Sequence, residues 1–541
     1  MTPSKISDTT FDLIIIGAGI NGAGIARDAA MRGLKVLLLD KGDLGGGTSS
    51  WSTRLIHGGL RYLEHGELLL VKESLRERET LLHIAPHIVR PLPILLPIYN
   101  GKKRGLKTIR AGMITYDLLS VHKSLPRHQM LSVSEVHRRV PGLNPEGLLG
   151  GALYYDAQAE YPERLVVENA LSARQHGATV VTYAKVRKLI VEGSVVRGVE
   201  GFDLIRGQNF RVRSRLVVNA SGPWVDQVLA SSEKKPQRLI GGAKGSHLIV
   251  APFAGAPLDA LYVEAEKDGR PFFIIPWDGK YLIGTTDIRF SGDLEDVEIC
   301  DDEIDYLLHE AKRVIPAYDL TRNSILYTYS GVRPLPYTES EKADEVTRRH
   351  FIRESEQLKS LVSIVGGKLT TYRNLAQQTV DFVCRRLRKD APKCRTAWTP
   401  LPGASSESPE LLGERLQRVY GLSRLTSERL PRLYGKRASD VAKLTTDHKA
   451  LLEVFDDETG AIGAEIAFSF KEEMGQTIGD CLLRRTMVGL NSTCGINAVE
   501  AAARVAQTCF GWNDARAAQE VETYRAHIER FKRFQHPKSQ T

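Results

Sequence analysis

The apolar positions along this 541-residue chain fall into three patterns, and each dictates a different backbone. Near the start, residues 12–16 and 35–39 are short apolar runs separated by an Ala-rich segment with helical spacing. That order predicts strand, helix, strand: a βαβ unit. Two further apolar runs, residues 216–219 and "LVSIV", end at small-residue turns, the second leading into a helix. Between residues 236 and 344 the pattern becomes alternation, as in "PFFIIPWDGKYLIGTTD". Alternation predicts an antiparallel sheet, here crossed by a helix near residues 302–314. Beyond the Pro/Gly/Ser linker "WTPLPGASSESPE" the spacing is helical to the end, as in "AVEAAARVAQTCF". The expected fold is α/β. A discontinuous Rossmann-like domain takes residues 1–75, 160–235 and 345–390; 76–159 are an insertion; 236–344 an antiparallel cap; 400–541 an all-helical domain.

Composition changes this picture little, and charge changes it in one place. With 42% hydrophobic and 26% charged residues the chain is ordinary globular protein. Six cysteines without a C-x-x-C pair signal neither a metal site nor a disulfide framework, and fit a reducing cytoplasm. No apolar run approaches the roughly 18 residues a spanning helix needs, and "MTPSKISDTT" lacks the pattern of a secretory signal. The net charge is +9, and residues 101–140 hold nine Lys/Arg (102, 103, 104, 107, 110, 123, 127, 138, 139) against Asp117 and Glu135. Within that segment Leu106, Ile109, Met113, Tyr116 and Leu119 recur at steps of three and four. This reads either as an amphipathic helix lying on an anionic lipid surface or as an ordinary helix with its apolar face on the core. Binding of tRNA by a basic flavoprotein is the competing use of such charge. Stacking aromatics are sparse here, so lipid is favoured and no nucleic-acid partner is expected.

The first βαβ unit carries chemistry. Gly17, Gly19 and Gly22 follow the first strand in the spacing G-x-G-x-x-G, and Asp40 ends the second. The first glycine permits the tight turn, the second lets backbone approach a pyrophosphate, and the third lets helix and strand pack closely. Asp40 would accept from ribose hydroxyls and repel a 2′-phosphate, which argues against NADP. The fingerprint leaves FAD and NAD open. Next comes the loop "KGDLGGGTSSWSTRLIHGG", whose Thr48, Ser49 and Ser50 offer hydroxyls; later "NASGPWVD" places Gly222 after a strand; later still Gly366, Gly367, Leu369 and Thr370 form a turn before a helix. Three strand-to-turn segments from distant parts of one chain suggest one extended cofactor.

The stretches "IIIGAGINGAGIARDAA", "GTSSWSTRLIHGGLRYLE", "NASGPWV", "KGSHLIV", "IPWDGKYLIGTTD", "YSGVRPL" and "GGKLTTYRNLA", in this order over residues 11–375, resemble the FAD-dependent, quinone-linked glycerol-3-phosphate dehydrogenase family. Beyond residue 400 the resemblance rests on "DCLLRRT" and the helical tail. Arg54 stands where members of that family commonly carry Lys, which preserves charge, and no EF-hand loop follows, so calcium control is not implied. The resemblance implies FAD, oxidation of sn-glycerol 3-phosphate to dihydroxyacetone phosphate, electrons passed to a membrane quinone, and peripheral attachment to the inner face of the cell membrane. A homodimer through the C-terminal domain is a further expectation. An oxidase passing electrons to oxygen, or a related amine or amino-acid oxidase binding a carboxylate, are the rival enzymes.

Within that resemblance, Arg61 with Tyr62, and Arg333 in "YSGVRPL", would clamp the phosphate, because the guanidinium fork matches phosphate geometry. Gly58 and Gly59 would keep the backbone near the flavin, and His57 is a further substrate-binding candidate. Loss of the alcohol proton needs a base over the reactive face. His247 is the expected base and Lys368 the cation that stabilises the developing alkoxide or the reduced flavin, with the two roles interchangeable. Taken singly these residues have plainer readings: a packed core histidine, a surface ion pair for Arg61, a turn-stabilising Arg333, a solvated Lys368. Their common placement on a flavin scaffold is what raises them.

Overall fold

A computed structural model describes residues 9–64, 66–101, 104–120, 123–231, 237–339 and 346–535. The expected βαβ unit is present. Strand Thr10–Ile16 pairs in parallel with Val36–Leu39 on one side and with Gln208–Asn219 on the other. Leu361–Val365 and Thr179–Val181 extend this parallel core outward. Helices Ile20–Met31, Pro162–Gln175 and Tyr372–Leu387 cover it, with the first packed between the other two. A parallel strand covered on both faces must be apolar throughout, hence "LIII" and "VLLL" rather than alternation.

The second sheet has ten strands. One of its two longest pairings joins Ile240–Val250 to Ile325–Pro336, placing Ala243 opposite Arg333 and His247 opposite Tyr329. The insertion expected over 76–159 is not separate from this cap. Strands Val89–Tyr99 and Leu148–Ala159 pair along their length, and the former joins Ala260–Glu264 in parallel, so the cap sheet is antiparallel except at that one join. Pro91, Pro93 and Pro97 inside the first of these strands disguise it in sequence, since proline ordinarily argues against a paired strand. The helix expected near 302–314 spans Asp301–Val314.

The helix Leu106–Leu119 settles its own ambiguity. Ile109, Met113 and Tyr116 are buried in the core and Leu119 packs against it, so the expected stripe faces inward except at Leu106. The outer face instead exposes Ile114 and Leu118, with Lys107 and Arg110 beside them. Arg104, Lys123 and Arg139 are ion-paired to Glu264, Asp117 and Asp259, while Lys102 and Lys103 lie outside the described residues. Among the described residues no helix is long and apolar enough to cross a membrane.

The C-terminal segment is helical apart from a short hairpin, Val454–Asp456 with Ala461–Ile462. It shares its core with the cap. One apolar cluster runs from Ile249, Trp277 and Tyr327 into Leu433, Phe468 and Leu483. This continuity brings the tail helix against the central cavity.

Candidate active site

A cavity of about 1470 Å³ runs between the two sheets, ample for a dinucleotide and a small second ligand. Its floor is the glycine turn after the first strand. Gly17 has φ +102°, and a Cβ there would sit 2.7 Å from the Ala220 carbonyl oxygen, so only glycine lets the two turns meet. Gly22 lies behind the wall; its Cβ would be 1.8 Å from the Gly17 carbonyl oxygen, so it serves the packing of helix on turn and does not face a ligand. Gly19 and Asp40 line the cavity. Asp40 accepts from the backbone N–H of Ala18 at 2.5 Å and of Gly42 at 2.8 Å, and burial pushes its carboxyl up.

The Gly/Ser/Thr loop follows the cavity inward. Ser49 Oγ accepts from the Ile20 N–H at the helix start (3.0 Å), and the Thr48 hydroxyl donates to the Val332 carbonyl (2.6 Å), tying loop to cap. Ser50 turns away from the cavity and donates to the Gly45 carbonyl (2.7 Å), so it holds the loop's shape only. Gly222 and the turn Gly366, Gly367, Lys368, Leu369, Thr370 complete the lining at its far end. Asn21 Oδ1, buried at this wall, has no hydrogen-bond partner among the described residues. An open glycine floor, a ribose-type acceptor at one end, hydroxyls in the middle and an unsatisfied amide oxygen together fit a bound flavin dinucleotide.

The other end of the cavity is cationic. Arg333 donates to Asp287 Oδ1 (3.1 Å) and Thr285 Oγ1 (3.0 Å), Arg348 donates to Asp287 Oδ2 (2.8 Å), and Arg270 donates to the Asp287 backbone carbonyl. Two guanidinium groups thus share one carboxylate and a third holds the carbonyl of the same residue, with Arg61 and Lys368 on the same cavity wall. The Lys368 ammonium lies 3.8 Å from the centre of the Tyr62 ring and 3.3 Å from Ser74 Oγ. Burial first, aided by the Arg348 charge and opposed by Glu73 and Glu67, brings its pKa down to about 7. His57 faces the cavity with its backbone N–H held by Thr370 Oγ1 (3.1 Å), and burial takes its imidazole down to about 4.

His247 does not reach the cavity. It is 1% exposed, with its ring centre 4.7 Å from that of Tyr329, and a Cβ on Gly284 would lie 2.4 Å from its Cδ2. Its Nε2 meets Thr53 Oγ1 at 3.0 Å, and it is Thr53 that lines the wall. Burial holds the imidazole far below its ordinary value, and Nδ1 has no partner among the described residues. The expected base is therefore one residue removed from the reacting space.

Sequence reading also missed Arg270, Arg348, Asp287 and Thr53, all on the cavity wall. Thr53 and Asp287 lie within quoted stretches, "GTSSWSTRLIHGGLRYLE" and "GTTD", and were there to be found. Arg270 in "DGRPFF" and Arg348 in "TRRH" carry no local signal, because they lie on loops far apart in sequence that only the tertiary fold brings together at Asp287.

Residues 12–432 match the model of the FAD dependent oxidoreductase family, and residues 394–517 that of the C-terminal domain of alpha-glycerophosphate oxidase. A glycerol-3-phosphate dehydrogenase of Synechocystis sp. is 46% identical over 540 residues, covering 97% of each chain. The aerobic glycerol-3-phosphate dehydrogenase of Staphylococcus haemolyticus is 32% identical, covering 89% of this chain and 87% of that one. Among solved structures, a Bacillus halodurans glycerol-3-phosphate dehydrogenase complexed with FAD superposes with a TM-score of 0.82 at 28% identity, over 99% of this chain and 98% of that one. An L-alpha-glycerophosphate oxidase from Mycoplasma pneumoniae shares the fold at 20% identity and a TM-score of 0.57, over 73% of this chain and 99% of that one. The chain is an FAD-dependent oxidoreductase and belongs to the glycerol-3-phosphate dehydrogenase group of that family.

Proposed function

We propose that this chain oxidises sn-glycerol 3-phosphate to dihydroxyacetone phosphate and passes the electrons to a membrane quinone. The observation that carries the reading is the gathering of Arg333 and Arg348 on the single carboxylate of Asp287, with Arg270 on the backbone carbonyl of that residue, beside the Gly366–Gly367–Lys368 turn. Two cations on one anion leave positive charge that a phosphate dianion neutralises, and planar guanidinium forks suit its oxygens. A carboxylate substrate would need fewer.

FAD, when bound, supplies the hydride acceptor for the substrate's C2 hydrogen. The chain's own residues supply the rest. Arg333 and Arg348 hold the phosphate and so fix the distance of C2 from the far end of the cavity. Lys368, neutral in a substantial fraction of molecules because burial brings it to about 7, takes the hydroxyl proton onto Nζ as the C2–H bond breaks. Lys368 thereby takes the role first expected for His247. His247 is a positioning residue that orients the Thr53 hydroxyl. His57 stays neutral through the working pH range and adds no competing charge. Anaerobic glycerol 3-phosphate is expected to bleach the flavin where glycerol does not, which tests donor and clamp together.

The route to the membrane rests on exposed apolar side chains beside cations. Leu68 (48% exposed) and Leu69 (74%) begin the helix that packs beside Leu106–Leu119, whose own Leu118 is 67% exposed on the outer face that also carries Ile114, Arg110 and Lys107. A lipid surface would bury these leucines at about 1.5–3 kcal/mol each. The double variant Leu69→Asp/Leu118→Asp is therefore expected to bind anionic vesicles at least about tenfold more weakly in a flotation assay. Unchanged binding would remove this face as the anchor.

A further inference from the structure

We propose that the C-terminal helical domain is part of the cofactor site. Its Asp480–Arg484–Arg485 group clasps the adenosine end of the FAD loop, so that FAD retention depends on the docking of that domain. The proposal rests on the FAD assignment and on Asp40 as the ribose acceptor.

The "DCLLRRT" stretch carries the family resemblance beyond residue 400, yet no residue of it is needed by the chemistry at the cationic end. In the structure it reaches across the chain to Asp43, three residues past Asp40. Arg485 donates to both oxygens of Asp43, at 2.8 Å on Oδ1, and Arg484 Nε donates to Oδ2 at 2.5 Å. Arg484 also holds Asp480 (3.0 Å), which accepts from the Tyr183 hydroxyl (2.6 Å). The side chains of Asp43, Asp480 and Arg485 are all 0% exposed. Both anchor points belong to the adenosine wall. The Tyr183 N–H donates to the Gly42 carbonyl (3.0 Å), and the Ala184 N–H donates to the carbonyl of Asp40 itself (2.7 Å). Asp43 and Ala184 line the cavity. On the domain's side, Gln476 Nε2 donates to Thr182 Oγ1 at 2.6 Å, a second bond onto the same turn.

An independent contact comes from the tail helix of the same domain. Arg530 and Phe531 line the cavity at Trp51, with the Phe531 and Trp51 rings 5.2 Å apart, and the Phe531 carbonyl accepts from the Thr328 N–H of the cap (2.9 Å). The domain therefore meets the cavity twice, once at the loop that follows Asp40 and once at the loop that carries Thr48 and Ser49.

Removing one partner of a buried ion pair leaves the other uncompensated. Without Arg485, Asp43 loses two of its three guanidinium bonds and keeps only that from Arg484, so it is drawn toward water and takes the 40–43 loop with it, and Asp40 loses its place at the ribose. Because coupling between sites is reciprocal, FAD in turn holds the domain down. The test measures dissociation constants of FAD and of ADP for the full-length apoprotein by fluorescence titration, in wild type, Arg485→Met and Tyr183→Phe.

Arg485→Met is expected to weaken FAD by at least about tenfold and ADP by the same factor, since the damage lies at the adenosine end. Tyr183→Phe, which loses the hydroxyl's bonds to Asp480 and Thr477, is expected to weaken both by roughly three- to tenfold. If Arg485→Met does not fold, Tyr183→Phe decides alone. FAD affinities within about twofold of wild type, or loss of FAD without loss of ADP, would overturn the clasp. A wild-type apoprotein that binds no FAD would overturn the cofactor assignment and the clasp with it.

Discussion

Replacing Lys368 by Met is expected to slow anaerobic reduction of the flavin by glycerol 3-phosphate by about 10²–10⁴-fold, the usual worth of a positioned base, while the flavin stays bound. The side chain sits in the glycine turn at the flavin end, over the Tyr62 ring and against the Ser74 hydroxyl, with no carboxylate in hydrogen-bond contact among the described residues. Burial disfavours its charged form more than Glu73 and Glu67 favour it, and the result is a pKa of about 7. The sign of the pH dependence then separates two roles. If neutral Lys368 accepts the proton, the second-order rate constant for flavin reduction rises with pH through about 7 and levels off above it. If the ammonium stabilises an alkoxide, the same constant falls through that value. If His57 were the base, its pKa of about 4 would leave the profile flat across the neutral range. The rising profile is expected in wild type, and its loss in Lys368→Met. Stopped-flow reduction at several pH values reads all three outcomes.

Arg333→Met is expected to raise the half-saturating concentration of glycerol 3-phosphate by at least about 10²-fold, since bonds to charged groups contribute about 1.5–3 kcal/mol each and two are lost. Arg333 now spends both nitrogens on Asp287 and Thr285, and Arg348 holds the other Asp287 oxygen. A phosphate entering between them replaces a shared carboxylate partner with a dianion, so the clamp is assembled before substrate arrives. Arg333→Lys is expected to recover only part of the loss, because a point charge cannot bridge two phosphate oxygens. Flavin content should be unaffected in both variants, as Arg333 lies at the cap end, away from Asp40 and Gly19. Equal affinity for the phosphate ester in wild type and Arg333→Met, read by flavin bleaching, would take the clamp away from this residue.

Legibility followed locality. The strand, glycine turn and helix from Thr10 to Met31, and the turns holding Gly222 and Gly366–Gly367, were readable because each is a contiguous stretch whose period or small residues carry their own reason. Asp40, Arg61 and Arg333 were legible from contiguous stretches of their own: the end of the second strand, "LIHGGLRYLE" and "YSGVRPL". The cap strand Val89–Tyr99 was not readable, since three prolines break its signature and its partners lie at Leu148–Ala159 and Ala260–Glu264. The inward stripe of Leu106–Leu119 shows the limit of periodicity: spacing gives a helix with an apolar face but does not say whether core or lipid covers it. The displacement of His247 from the cavity has the same origin. Its strand was legible, but its face is fixed by the antiparallel register with Ile325–Pro336, and one residue of register separates a cavity side chain from a buried one. Asp287, Arg270 and Arg348 come from three loops distant in sequence, and only the tertiary fold brings them to one point.

The most direct measurement is an anaerobic titration of the purified holoprotein, following flavin absorbance, with glycerol 3-phosphate in one cuvette and glycerol and glycine in others. The account requires bleaching by glycerol 3-phosphate alone, with dihydroxyacetone phosphate formed in proportion to flavin reduced. Bleaching by glycine, or equal bleaching by glycerol and its phosphate ester, would contradict it, because the cluster of Arg270, Arg333 and Arg348 would then not be selecting the donor.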